Sequence, residues 1–157
     1  MLSKILNFFQ THKIITILFL VSLSLWLWQH STGFTWDFSV YSMNAEYMFG
    51  GGQYSEILRP PLASAIMFPA AFSKLFAEYF YIIVVSLLYL YSAIKLADSL
   101  KLNRTVFYVF SSTPFTIVYA FTAGTELLSL ALLYLSVAYL YTKKSSGAFL
   151  SLLSLAR

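Results

Sequence analysis

The stretch that decides how the chain folds is residues 36–62, WDFSVYSMNAEYMFGGGQYSEILRPPL. It carries Asp37, Glu46 and Glu56, a glycine run at 50–52 and the pair Pro60-Pro61, and strongly apolar sequence flanks it on both sides. A polar, turn-rich segment has no place in hydrocarbon, because its backbone groups would find no partners there. It belongs at a membrane surface or in a water-filled cavity, the setting in which membrane proteins place reactive side chains. Candidate chemistry therefore starts from Asp37, Glu46, Glu56 and Arg59.

Inside this stretch, residues 37–49 have the pattern of a short amphipathic helix. Phe38, Tyr41, Ala45 and Met48 recur at helical spacing, whereas Asp37, Asn44 and Glu46 fall elsewhere. The glycines end the helix, since glycine tolerates the left-handed conformation of helix-stopping motifs. Residues 53–59 read as a loop, and Pro60 and Pro61 open a second helix, where missing amide hydrogens cost little. That helix, over 60–77, contains Pro69 and Lys74 and is weakly apolar, so the expectation is a surface-lying element rather than a span.

Working outward, the flanking blocks set the class. Of 157 residues, 59% are hydrophobic and only 10% charged, against about 25% charged in soluble domains. The apolar blocks are too long for core strands and suit bilayer-crossing helices. They predict spans over 10–30, 79–97, 105–122 and 126–142, with Pro114 as a kink in the third. The first block resembles a signal peptide, but Trp26, Trp28 and His30 stand where a small-residue cleavage pattern would be, which favours an uncleaved anchor. Residues 147–157 begin a fifth apolar helix, too short to cross at that length. The expected architecture is all-α: a multi-pass transmembrane bundle with amphipathic helices in its first outer loop, truncated at its carboxy-terminal end.

Charge orients this bundle. Placing Lys4, Lys13, Lys95, Lys101, Arg104, Lys143 and Lys144 on the cytoplasmic side gives one consistent set of crossings. The amino terminus is then cytoplasmic, in a plasma membrane, and residues 36–78 share the outer face with the turn at 123–126. The net charge of +4 does not point to nucleic acid, because the basic residues form no patch with interleaved polar groups. With no cysteine there are no disulfides, thiolate metal sites or cysteine nucleophiles. His12 and His30 stand at opposite ends of the first apolar block, so they cannot share a metal; each reads as a headgroup-level residue.

The candidate residues admit two readings each. Asp37 is either the N-cap of the helix that follows or a general base whose carboxylate is raised toward neutrality by burial. Glu126, in AGTELLS, is a first-turn acid favouring the helix dipole, with Thr125 as cap, or a site carboxylate. Glu46 and Glu56 read as solvated. Arg59 either meets lipid headgroups or clamps a phosphate through its planar fork. Tyr41, one turn beyond Asp37, is a supporting side chain.

The order of these features resembles the C-type (GT-C) membrane glycosyltransferase fold, which includes protein O-mannosyltransferases and aminoarabinose transferases. The residues carrying the resemblance are Asp37, Tyr41, Ala45, Gly51, Tyr54, Arg59-Pro60-Pro61-Leu62, Thr125-Glu126 and the ending LSLLSLAR. It covers nearly the whole chain but only the first part of such an enzyme. It implies that Asp37 is the catalytic base, that Glu126 orients the acceptor or a metal, and that Arg59 contacts the donor phosphate. Arg157 would match a further basic residue near the same site. Trp36-Asp37-Phe38 departs from the paired Asp-Glu of several relatives, which leaves subfamily and a divalent metal at Asp37 and Glu126 open.

The expected function is inverting transfer of a sugar from a polyprenyl-phosphate donor to an acceptor hydroxyl on the outer face. Membrane lipids and a carboxy-terminal half of the same enzyme are the expected partners, and the isolated chain is expected to be inactive. The rival expectation is a non-catalytic small membrane subunit or transporter fragment.

Overall fold

The computed structural model describes residues 12–32, 36–49, 51–53, 56, 58–112, 125–142 and 152, with Trp36 and Asp37 described by their backbone alone. Among the described residues every regular element is helical. We label the α-helices α1 (Lys13–Thr32), α2 (Trp36–Phe49), α3 (Pro61–Met67), α4 (Lys74–Ser99), α5 (Arg104–Ser111) and α6 (Glu126–Tyr141); a 3₁₀ turn, Phe68–Ala70, follows α3.

α4 is the centre of the molecule, packing most extensively on α6 and also on α1, α2, α3 and α5. Small residues are buried on both of these helices, Ala77, Ser86, Ala93 and Ala97 of α4 and Ala131 and Ala138 of α6. Small side chains let backbones approach closely, which is how helices associate where apolar surroundings remove the hydrophobic drive. α1 is more peripheral. It buries one stripe, Ile15, Phe19, Ser22 and Trp26, at helical spacing, while Ile17, Val21, Leu25 and Trp28 stay exposed.

Paired side chains fix the helix directions. His30 near the end of α1 meets Glu78 near the start of α4, and Arg104 at the start of α5 meets His12 just before α1, so α1 and α4 are antiparallel. Tyr89 packs on Tyr134 at 6.1 Å and Lys95 lies over the Tyr139 ring at 5.9 Å, so α6 runs parallel to α4. α1 and α4 are long and apolar enough to cross a membrane, and α6 is a shorter apolar helix. Some of their hydroxyls are satisfied within their own helices: Ser22, Ser86 and Ser136 each donate to the carbonyl four residues earlier.

Several expected boundaries shift. The helix expected over 60–77 is broken into α3, the 3₁₀ turn and the first turn of α4. Pro69 lacks an amide hydrogen, and Ala71 and Ser73 make the tighter bonds to carbonyls three residues back, at 3.1 and 3.4 Å. α4 therefore starts at Lys74, not at 79, and takes Lys74 and Glu78 into the long helix. α2 starts at Trp36, which puts Asp37 inside its first turn rather than at the N-cap. α5 is described to Ser111, and the rest of the expected span 105–122, Pro114 included, lies outside the described residues. So does the helix expected over 147–157, apart from Leu152, which is helical.

Candidate functional site

The glycine run closes α2 through hydrogen bonds; Gly51 and Gly52 do not adopt the left-handed conformation expected, and Gly50 lies outside the described residues. The Gly51 and Gly52 amides both donate to the Glu46 carbonyl, at 3.0 and 3.1 Å, closing the helix. A Cβ on Gly52 would lie 2.7 Å from the Tyr47 backbone nitrogen, so only glycine permits this approach; a Cβ on Gly51 would meet nothing.

The faces of α2 differ from the expected pattern. Phe38, Tyr41 and Ala45 are buried, but Met48 is 48% exposed, and Asn44 is buried despite its polarity. Asn44 is inside because it does the work of a backbone strand. Its Nδ2 donates to the Glu56 carbonyl at 3.1 Å and its Oδ1 accepts the Glu56 amide at 2.7 Å. The loop is thereby folded back on α2, and Glu56 is half-buried rather than solvated, with Oε1 3.4 Å from Arg59 Nε. Positions 37, 41 and 44 form one stripe of the helix, so the loop bearing Arg59 is tied to the stripe that carries Asp37, about 10 Å further along the axis.

Below this stripe lies Tyr81 of α4, fully buried. Tyr41 and Glu126 are both close enough to interact electrostatically with it. Glu126 is exposed. Its Oε2 accepts the Thr125 amide at 3.2 Å, and Thr125 makes no side-chain cap, contrary to the expected arrangement. Of the expected site residues, Tyr41, Arg59 and Glu126 are thus gathered at one end of the helix bundle, with the backbone of Asp37. The Asp37 side chain and Arg157 lie outside the described residues. Among the described residues, no three His, Cys, Asp or Glu side chains form a group able to hold a metal ion.

The most heavily buried polar cluster at this end was not expected. Glu78, 7% exposed, accepts from His30 Nε2 at 2.9 Å through Oε2 and from Ser42 Oγ at 3.0 Å through Oε1. The His30 ring also packs on Phe38, centroids 4.7 Å apart, and edge-on to Tyr79 at 5.3 Å. The carboxylate stands between the serine and the imidazole. The Ser42 hydroxyl faces Glu78 and the Ser39 carbonyl, 2.9 Å away, not His30, and the trio is no nucleophilic triad, in which the imidazole must touch the hydroxyl. It is a clasp joining α1, α2 and α4.

A second clasp closes the opposite end. Arg104 makes a two-pronged contact with Asp98, Nε to Oδ1 at 2.6 Å and Nη2 to Oδ2 at 3.0 Å, and its Nη1 donates to His12 Nε2 at 3.1 Å. His12 to His30 spans eighteen residues and Glu78 to Asp98 twenty; at 1.5 Å per residue these are about 27 and about 30 Å. Between the clasps, residues 14–29 and 79–94 contain no acidic, basic or histidine side chain.

No family model, curated protein or solved structure matches the chain.

Proposed function

We propose that this chain is a multi-pass membrane module of a GT-C-type glycosyltransferase, with the Glu78 end on the outer face and the Arg104 end in the cytoplasm. The observation that carries the membrane reading is the spacing of the two clasps. They stand about one hydrocarbon thickness apart, roughly 30 Å, and between them residues 14–29 and 79–94 are uncharged, with Lys13 and Lys95 close to the Arg104 end. Charge supports the orientation. Of the described basic residues, Lys13, Lys95, Lys101 and Arg104 belong to the Arg104 end, against Arg59 and Lys74 at the other.

The catalytic part of the reading comes from the resemblance and from the gathering of Tyr41, Arg59 and Glu126 with the Asp37 stripe. Asp37 takes the proton of the acceptor hydroxyl as its oxygen attacks the anomeric carbon of a polyprenyl-phosphate sugar. The donor phosphate leaves with the bonding electron pair, and Arg59 stabilises its charge. Glu126 orients the acceptor.

The test is transfer of radiolabelled sugar from a polyprenyl-phosphate donor by a complete enzyme carrying this chain, with donor binding measured separately. Asp37→Asn should lower transfer by about 10²–10⁴-fold while donor binding persists, because the amide cannot accept the proton. Transfer at the undiminished rate sinks the mechanism. One observation favours a second reading, a non-catalytic subunit: Arg59 is already paired with Glu56, as a purely architectural arginine would be. In that case Arg59→Ala loosens the loop and no donor binding is found to lose.

A further inference from the structure

The outer layer leaves a large aromatic surface uncovered. Phe49 and Phe68 pack together at 5.7 Å, and Phe72 and Phe76 at 5.1 Å. All four remain exposed, Phe72 to 66%, with Leu75 beside them at 63%. Exposed apolar surface of this size marks a site of contact with a protein, a ligand or a membrane.

Its continuation identifies the occupant. Phe76, Ile83, Leu87 and Tyr91 are exposed along one face of α4, spaced as a single helical stripe. Phe76, with Phe72 packed on it, is thus the upper end of the stripe that runs down α4, the face that meets lipid in the membrane reading. Phe76 lies two residues beyond Glu78, about 3 Å along the axis, at the height of the upper clasp. Phenylalanine has no polar tip to hold in the headgroups, so these rings suit the edge of the hydrocarbon rather than water. The exposed Gln53 and Ser73, with the half-exposed Lys74, border the patch, and the lysine stem can lie along apolar surface with its ammonium in water.

We propose that the Phe49, Phe68, Phe72 and Phe76 surface is seated in the acyl-chain edge of the surrounding outer leaflet. The layer bearing Asp37 and Arg59 is then held within the membrane boundary, not above it. This rests on the assignment of α4 as a span.

The absence of cysteine makes the test clean, since each introduced thiol is unique. The full chain is reconstituted in phosphatidylcholine vesicles with a minority of phosphatidylglycerol, carrying a nitroxide at Phe72→Cys, Leu75→Cys, Leu87→Cys or Gln53→Cys. Collision with oxygen, which concentrates in hydrocarbon, is compared with collision with a neutral nickel chelate, which stays in water. The expected result is an oxygen-to-nickel ratio highest at 87, several-fold higher at 72 and 75 than at 53, and lowest at 53. Nickel access at 72 and 75 equal to that at 53, with 87 still in lipid, overturns the seating alone. Low collision with both reagents at 72 and 75 also overturns it, since protein then covers the patch. Nickel access at 87 overturns the span assignment. Because Leu75 makes the same case as Phe72, loss of folding in one variant leaves the other decisive.

Discussion

His30 Nε2 and Glu78 Oε2 lie 2.9 Å apart, forty-eight residues apart in sequence, and this contact sets the register of α1 against α4. Both groups are nearly buried, with side chains 10% and 9% exposed. Glu78 also holds Ser42, so one carboxylate organises three helices.

Removing Glu78 should therefore cost more than removing either partner. Glu78→Ala leaves the nearly buried His30 without this acceptor, while Ser42 keeps the Ser39 carbonyl at 2.9 Å, and an unmet buried polar group typically costs about 1–3 kcal/mol. Glu78→Gln keeps a carbonyl acceptor and should cost distinctly less. Ser42→Ala should lose about 1 kcal/mol. Thermal unfolding in detergent measures all three, and an unchanged midpoint for Glu78→Ala would show that the clasp contributes nothing.

Asn44 gives a second, local prediction. Asn44→Ala removes both bonds to the Glu56 backbone and should release the loop without unfolding the helix bundle. The readout is proteolysis around 53–59, expected to accelerate by roughly tenfold or more, since two hydrogen bonds of about 1 kcal/mol each are lost. Asn44→Asp keeps only the acceptor half and should fall between. Equal cleavage rates in all three proteins would mean that the loop is held by other contacts.

The adjacent glycines should separate sharply. Gly52→Ala forces a Cβ against the Tyr47 backbone and should destabilise, whereas Gly51→Ala meets open space and should be nearly neutral. Parallel melting curves of the two variants decide this, and equal losses would contradict the close approach at Gly52.

Topology has its own probe. Asn103-Arg104-Thr105 is a glycosylation sequon, and the proposed orientation puts it in the cytoplasm. Asn103 should stay unmodified in a microsomal assay. An impermeant thiol reagent applied to intact cells should label Gln53→Cys and spare Leu102→Cys. Glycan at Asn103 would reverse the orientation.

What the sequence showed and what it hid divide along a physical line. Glycine and proline act locally, so the end of α2 and the start of α3 could be read directly. Apolar blocks revealed the existence of α1, α4 and α6, but not where they stop. Glu78 stood at the edge of such a block and looked like a boundary, although its carboxyl is hydrogen-bonded within the helix layer by a histidine and a serine from elsewhere. Asn44 looked like a polar outer position for the same reason, since its partner is a loop backbone twelve residues away. The usable signal was the pairing of ends: in two antiparallel apolar helices, a histidine closing one and a glutamate opening the next fall side by side. For Asp37, Arg59 and Glu126, sequence supplied the residue types, and the fold supplies their common end of the molecule.

The separation of the two clasps also makes the molecule a gauge. In the membrane reading, the polar groups of Arg104 and Glu78 sit at opposite edges of a slab about 27–30 Å thick. A thinner bilayer would be met by tilt, whereas a thicker one would draw the Glu78 cluster beneath the headgroups unless the lipid compressed around it. Mismatch costs a fraction of a kcal/mol per Å, enough to bias the chain toward bilayers of matching depth and to make lipid tail length a variable that acts on the outer layer.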